Sequence, residues 1–260
     1  MDLTKDIPII KYENGTVSSV VDIVVKEYAL TIMLDGEEFI TLLCTPSSLD
    51  CLAVGFLLSE SVIKSKNDIE KLRIDEEKGI IEVSTIESSI IAKRLHGKRT
   101  MTTGCGKGST FYNALDSISC KKVSSNIEIS AHDILELVRA FNKMSELFLS
   151  TGGVHSVALA EDTGIKLFHE DVGRHNAIDK VIGEASLKDI QLSDKLVLTS
   201  GRVSSEMLIK AAKGRIPVII SRSAPTDLAV ELAKQLGITV IGFARGQKMN
   251  IYSNPERIIL

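Results

Sequence analysis

From Ser130 onward the apolar residues alternate between helical and strand spacing, and this rhythm restricts the fold more than any other feature of the chain. Ile134, Leu137, Val138, Phe141 and Phe148 recur at helical spacing and predict one long amphipathic helix closed by Gly152-Gly153. Residues 155–160 and 165–168 then read as a strand pair around Thr163-Gly164. Helices are expected at about 175–187, 203–213 and 226–236, and strands at about 194–199, 216–221 and 238–243. Strands joined by helices pair in parallel and are buried on both faces, and residues 195–199 (KLVLT) and 216–220 (IPVII) are suitably apolar. The expected result is a three-layer α/β/α domain.

The first half has a different character. Residues 28–34 and 38–44 flank Asp35-Gly36, a strong hairpin signal. Pro46 interrupts, Ser47 or Ser48 can cap a helix, and Leu49, Leu52, Ala53, Phe56 and Leu57 make one apolar helical face. Residues 69–74 and 79–84 look like two further strands joined by a charged turn. The chain therefore divides into a smaller β-rich domain with one helix over 1–125 and an α/β domain over 126–260.

Composition excludes several classes. A net charge of −3 leaves no basic field for nucleic acid or an anionic membrane surface. Seven Phe, four Tyr and no Trp offer few platforms for stacking bases. No apolar run reaches the roughly 18 residues of a membrane span, and the interleaved charges of the first twenty residues do not resemble a signal peptide. A cytoplasmic protein is expected. Cys44, Cys51, Cys105 and Cys120 show no C-x-x-C pair and no metal-like spacing, so free thiols are the expectation, with Cys44 and Cys51 as packing residues.

In an α/β sheet, ligands collect beyond the carboxyl ends of the strands. Four segments at those places each carry an arginine: 170–176 (EDVGRHN), 199–206 (TSGRVSSE), 221–227 (SRSAPTD) and 243–250 (FARGQKMN). Arginine beside glycine and free helix-start N–H groups favours anions, phosphate above all. Each alone is equally readable as a solvated charge or a cap; together they predict a pocket for a large, multiply phosphorylated ligand. Asp171 and Asp179 also suit structural roles near a helix start. For His155 and His175, ligand contact and a buried, hydrogen-bonded role are equally open, and His96, His132 and His169 carry no functional weight.

One more segment stands out, 102–109 (TTGCGKGS). Three glycines leave Cys105 uncrowded, and Lys107 favours its thiolate, which is the reactive form. The glycine pattern lacks the spacing of a phosphate loop.

These motifs are the ones by which the chain resembles the FdhD family of formate dehydrogenase accessory sulfurtransferases. The resemblance runs from about Val25 to Arg257 and is carried by Cys44-Thr45-Pro46, 52–57 (LAVGFL), 151–155 (TGGVH), 170–177 (EDVGRHNA), 200–204 (SGRVS), 223–226 (SAPT) and 242–250 (GFARGQKMN). It implies a cytidine-deaminase-like core. It implies a sulfurtransferase that accepts persulfide sulfur from a cysteine desulfurase on Cys105. The sulfur would pass to the molybdenum cofactor, in its bis(molybdopterin guanine dinucleotide) form, for the formate dehydrogenase apoprotein. The cofactor would be bound as substrate, with GDP-like nucleotides as mimics and no intrinsic metal. The residues matched to cofactor contact are Phe243, Ala244, Arg245, Gly246, Gln247, Lys248, Asn250, Gly201, Arg202, Ser223, Ala224, Pro225, Asp171, Arg174, His175 and His155. A homodimer is left open. Many members carry a second cysteine three residues before the reactive one, where this chain has Thr102. That departure keeps a rival in play, a non-catalytic cofactor-binding chaperone. A zinc deaminase is a further, weaker rival, because the corresponding junctions show neither the H-x-E nor the P-C-x-x-C pattern and contain no cysteine.

Overall fold

The computed structural model describes residues 1–86 and 121–260. Two tight turns organise its first half. Strands β1 (Thr4–Glu13) and β2 (Thr16–Val25) pair along their whole length around Asn14-Gly15, whose φ values are 51° and 82°. Strands β3 (Tyr28–Leu34) and β4 (Glu37–Cys44) do the same around Asp35-Gly36, at 51° and 88°. Each dipeptide supplies the two left-handed residues that match a hairpin turn to the twist of its strands. The second hairpin was expected; the first was not, although Asn14-Gly15 carries the same signal. The β1–β2 ribbon is a sheet of its own, and Ile10, Tyr12, Val17 and Val21 are 64–73 % exposed on one of its faces.

Strands β5 (Ile69–Asp75) and β6 (Ile80–Thr85) complete a four-stranded sheet in the order β4-β3-β6-β5. Helix α1 (Leu49–Ser59) covers it, packing Leu52, Ala53, Phe56 and Leu57 onto Leu30, Ile32, Leu42 and Ile81. Ser48 stands at the expected cap position, but no side-chain capping bond forms. Its φ of 49° is left-handed, and a capping side chain reaches the first turn from an extended backbone.

The second half builds a six-stranded sheet in the order β13-β12-β11-β10-β8-β9. Its chain order runs through β7 (Ile129–Ser130), α2 (Ala131–Met144), α3 (Glu146–Thr151), β8 (His155–Glu161), β9 (Gly164–Asp171) and α4 (Arg174–Leu187). There follow β10 (Leu196–Thr199), α5 (Ser205–Lys213), β11 (Val218–Ser221), α6 (Asp227–Leu236), β12 (Thr239–Arg245), β13 (Lys248–Ser253) and β14 (Ile258–Ile259). Strands β10, β11 and β12 are parallel, as their helical connections require, whereas β8, β9 and β13 run antiparallel to their neighbours. Ile134, Leu137, Val138 and Phe141 of α2 cover one face. The other face is covered by α4, α5 and α6 through residues such as Ile178, Val181, Leu208, Ala229 and Leu232. The three layers are thus observed.

Two expectations are corrected. The long helix is broken at Ser145, whose buried Oγ lies 2.9 Å from Ser156 Oγ. The break is stabilised because Glu170 accepts the N–H groups of Leu147 and Phe148, both at 3.0 Å, at the start of α3. The segment after β12, expected as a ligand loop following the last strand, is a hairpin turn, with Gly246 at φ 60° leading into a further strand, β13.

The two halves meet through α1 and α4, which approach closely at two glycines. A Cβ on Gly55 would stand 1.8 Å from the Asp179 carbonyl oxygen, and one on Gly183 would stand 1.9 Å from that of Cys51. Only glycine permits this crossing, because the obstructing atoms are backbone on both sides. Gly55→Ala or Gly183→Ala should therefore lower stability by about 3 kcal/mol in urea denaturation, at the upper end of overpacking costs.

Candidate functional site

Strand register decides which junctions meet. His155 opposes Asp171, Val157 opposes Thr199, Thr199 opposes Ser221, and Ile220 opposes Ile241. The carboxyl ends of β9, β10, β11 and β12 therefore share one sheet edge with the start of β8. All four arginine-bearing segments arrive there.

Backbone hydrogen bonds knit these segments together. Ser200 N–H donates to Ser156 O, while Ser156 N–H donates to Ser200 Oγ, both at 3.0 Å. The Ser221 hydroxyl donates to Gly201 O at 2.7 Å, and Arg222 N–H donates to Thr199 O at 3.1 Å. Val203 and Pro225 form a parallel bridge, with Val203 N–H donating to Ala224 O and Thr226 N–H to Val203 O. Phe243 N–H donates to Ser223 O at 3.0 Å from a left-handed backbone, φ 52°, inside an irregularity of the β12–β13 pairing. Ser204 and Thr226 cap α5 and α6 through their side chains. What these loops leave for a ligand is side chains on a fixed frame.

A cavity of about 420 Å³ opens at this edge. His155, Ser200, Arg222 and Arg245 give it polar walls; Gly152, Gly153, Val154, Val172 and Phe148 supply the remainder. Among the described residues, two guanidinium groups and no carboxylate line it, so it favours an anion. Arg174 and Arg202 add positive charge next to His155. Burial, then those two arginines, hold the His155 imidazole below its ordinary value, while Asp171 opposes them. Gly201 packs against this group, since a Cβ there would lie 3.3 Å from Arg174 Cβ and 3.4 Å from His155 Nδ1. The buried Nε of Arg174 has no hydrogen-bond partner among the described residues.

Of the residues expected here, His155 and Arg245 line the cavity, and Gly201, Arg174 and Arg202 adjoin it. Gly246, Gln247 and Lys248 form the exposed turn of the hairpin, and Asn250 is exposed on β13, 3.4 Å from the Tyr252 hydroxyl. Ser223, Ala224 and Pro225 are half-buried in the bridged loop, and Phe243 is half-buried beside them.

Two of the expected contacts face inward instead. Ala244 is completely buried in the core beneath α2. Asp171 is completely buried: Oδ1 accepts from Gly173 N–H and Asn176 Nδ2, and Oδ2 accepts from Thr45 N–H and Lys180 Nζ. Its oxygens are committed to the protein, so it positions the edge rather than lining it. His175 stands with Nε2 3.1 Å from Glu206 Oε2, and burial with neighbouring Lys210 and Arg174 pushes it down to about 3. Asp179 is likewise internal, accepting from Lys210 Nζ and the Ser59 hydroxyl.

Sequence reasoning passed over Ser200 and Arg222. Arg222 lies within residues 221–227, where nothing in the sequence distinguishes it from a solvated charge. Gly152 and Gly153 read as a helix end and as part of the 151–155 motif, and they line the cavity. A second cavity, of about 380 Å³, contains none of the expected residues; it is lined by Ser47, Ser48, Lys166, His169, Glu184 and Lys188 among others. Cys105 and its glycines lie outside the described residues, as does Cys120. Cys44 and Cys51 are buried, and desolvation first of all pushes each thiol up to about 12, which leaves them inert at neutral pH. Among the described residues, no group of three or more His, Cys, Asp or Glu is placed to hold a metal ion.

Comparison with known proteins bears on this site. The sequence pattern of the FdhD/NarQ family matches residues 25–259. A Geobacillus kaustophilus protein named sulfur carrier protein FdhD is 43% identical over 97% of this chain and 96% of its own. A Bacillus subtilis protein of the same name is 42% identical over 95% of each chain. The fold is similar to a crystal structure of a putative formate dehydrogenase accessory protein from Desulfotalea psychrophila. That likeness has a TM-score of 0.82 and 25% identity, and covers 99% of this chain and 100% of the other.

The position of His175 sets a pH dependence. Its folded value lies below its unfolded one, about 6.5, so the unfolded chain binds more protons as pH falls. Stability contributed by the neutral imidazole is present above about 6.5 and is lost toward about 3, at no more than about 1.4 kcal/mol per pH unit. Urea denaturation between these limits should show a shallower acid loss for His175→Gln than for the unaltered protein.

Proposed function

The chain belongs to the FdhD/NarQ family, and from that premise we propose that it is a sulfur carrier serving formate dehydrogenase. Cys105 accepts sulfane sulfur from a cysteine desulfurase as a persulfide. The sulfur is then delivered to the molybdenum cofactor, in its bis(molybdopterin guanine dinucleotide) form, before that cofactor enters the apoenzyme. In this reading the cofactor is substrate, not a resident group. A cytoplasmic setting and the cytidine-deaminase-like ancestry of the core belong to the same proposal. No helix among the described residues is long and apolar enough to cross a membrane.

The observation that carries the proposal is the cavity walled by Arg222 and Arg245, with no carboxylate among its described lining residues. A guanine dinucleotide presents a pyrophosphate, and guanidinium groups bind phosphate oxygens with charge-assisted, often bidentate hydrogen bonds. The cavity volume falls within the roughly 300–1,000 Å³ of small-ligand sites, which suits one nucleotide arm of a two-armed cofactor. His155 and Ser200 offer further polar groups, and Val154, Val172 and Phe148 an apolar wall.

The thiol chemistry follows by exclusion and then by choice. Cys44 and Cys51 are buried and protonated, so the carrier is one of the other two cysteines. Cys105 is favoured over Cys120 by Lys107 and three flanking glycines. Its thiolate attacks the outer sulfur of the desulfurase persulfide; a new S–S bond forms as the old one breaks, and the desulfurase leaves as thiolate. No external oxidant or reductant is needed for this exchange.

Thr102, where many relatives carry a second cysteine, favours one rival reading, a chaperone that binds and delivers the cofactor without carrying sulfur. Mass spectrometry after incubation with a cysteine desulfurase and cysteine separates the two. Sulfur transfer requires a gain of one sulfur atom on Cys105 that vanishes in Cys105→Ala; GDP binding without that gain would leave the chaperone. Arg222→Ala and Arg245→Ala should each weaken GDP binding by about 1.5–3 kcal/mol, roughly ten- to a hundredfold. Unchanged affinity in calorimetry would remove that arginine from the site.

A further inference from the structure

His155 differs from the other polar groups at the sheet edge. It lines the cavity beside Ser200, Arg222 and Arg245, with Nδ1 toward Gly201. Among the described residues, no hydrogen bond engages either ring nitrogen, and the ring lines the cavity. This is unusual at an edge where Ser156, Thr199, Ser200 and Ser221 are all engaged by the protein.

The charges around it come from every neighbouring element among the described residues. Arg174 and His175 approach from α4, Arg202 from the loop after β10, Arg222 from the loop after β11 and Arg245 from the end of β12. His175 is itself neutral at ordinary pH. Two carboxylates lie close by on β9, and both are engaged inside the protein. Asp171 accepts from Lys180, Thr45, Gly173 and Asn176, while Glu170 accepts from Leu147 and Phe148. Beyond His175, Glu206 and Lys210 of α5 complete the set. The cavity thus sets an imidazole, held below its ordinary value, among guanidinium groups.

We infer that this cavity takes up its anion together with a proton, and that His155 is the group that receives the proton. The inference rests on the proposed binding of a guanine-nucleotide arm and deepens it. A seated pyrophosphate places negative charge beside the imidazole and offsets the arginines that opposed its protonation. The imidazolium is then favoured, and its N–H becomes a charge-assisted donor to the ligand. The proton comes from bulk water and its buffer, and no bond other than N–H is made. Because the complex holds one more proton than the free protein, binding must tighten as pH falls.

The probe should bring no titration of its own. GDP-mannose suits, because its pyrophosphate is diesterified and exchanges no proton near neutral pH. Calorimetry of the full chain in buffers of different ionisation enthalpy, from about pH 6 to about pH 8, reads the protons taken up per ligand bound. The expected result is net uptake of up to one proton, with affinity rising by as much as about tenfold for each pH unit lost. His155→Gln should bind with neither uptake nor pH dependence. Arg245→Ala should bind more weakly while keeping the uptake. The His155 ring signals, followed by NMR in the unaltered protein, should titrate at higher pH with GDP-mannose than without, a readout that needs no variant. Binding without uptake, uptake that persists in His155→Gln, or an unmoved ring titration overturns the inference and leaves the nucleotide site standing. Failure of GDP and GDP-mannose to bind at all overturns both.

Discussion

The buried carboxylate of Asp171 joins three parts of the molecule at the seam between its two halves. A carboxylate has about four lone-pair directions, and here all four are used. Oδ1 receives Gly173 N–H and Asn176 Nδ2; Oδ2 receives Thr45 N–H and the Lys180 ammonium. Asn176 also donates to Leu43 O, and Lys180 to Thr45 O and Ser47 Oγ. One side chain at the end of β9 therefore fixes the exit of β4, the approach to α1 and the first turn of α4. A buried ion pair gains little net stability over apolar packing, because two charges must leave water. Once every partner is supplied, however, any displacement strands a charge, and the arrangement becomes unique. The Gly55–Gly183 crossing works in the same direction by steric means, seating α1 on α4 with backbone against backbone.

Why some of this was legible and some was not follows from the range of each interaction. Helices and strands announced themselves where a local pattern met a local reward. The Asp35-Gly36 hairpin, the apolar face of α1 and the parallel strands between helices belong to that class. The break at Ser145 did not, because its cause is Glu170, a residue 23 positions from Leu147 and reachable only after β8 and β9 have paired. Strand β13 was missed for a related reason. Lys248 and Asn250 read in the sequence as ligand contacts, which masks their alternation with Met249 and Ile251, the pair that packs this edge strand on the core. The site divides likewise. That arginine-bearing segments converge follows from the fold class, so His155 and Arg245 could be placed in advance. Which side chains turn outward depends on strand parity and on the irregularity at Phe243. Ala244 was therefore assigned to ligand although it packs beneath α2. Asp171 shows the limit of motif reading, since within a functional motif it has a scaffold's surroundings.

That division of labour has an electrostatic consequence. Acidic groups near the edge are committed elsewhere: Asp171 to Lys180, Asp179 to Lys210, and Glu170 to the start of α3. The chain as a whole is slightly acidic, yet among the described residues the cavity wall holds arginines and no carboxylate. An unfilled site of this kind carries self-repulsion that opposes the folded state, and the repulsion grows with each further positive charge. A protonated His155 would add one more. Keeping that imidazole neutral until an anion arrives limits the cost of the empty state without weakening the filled one. A lysine at the same position would hold its charge throughout and forfeit the advantage. The residue type at position 155 is thus the one whose charge can follow the ligand's, and it stands where the field of four arginines converges.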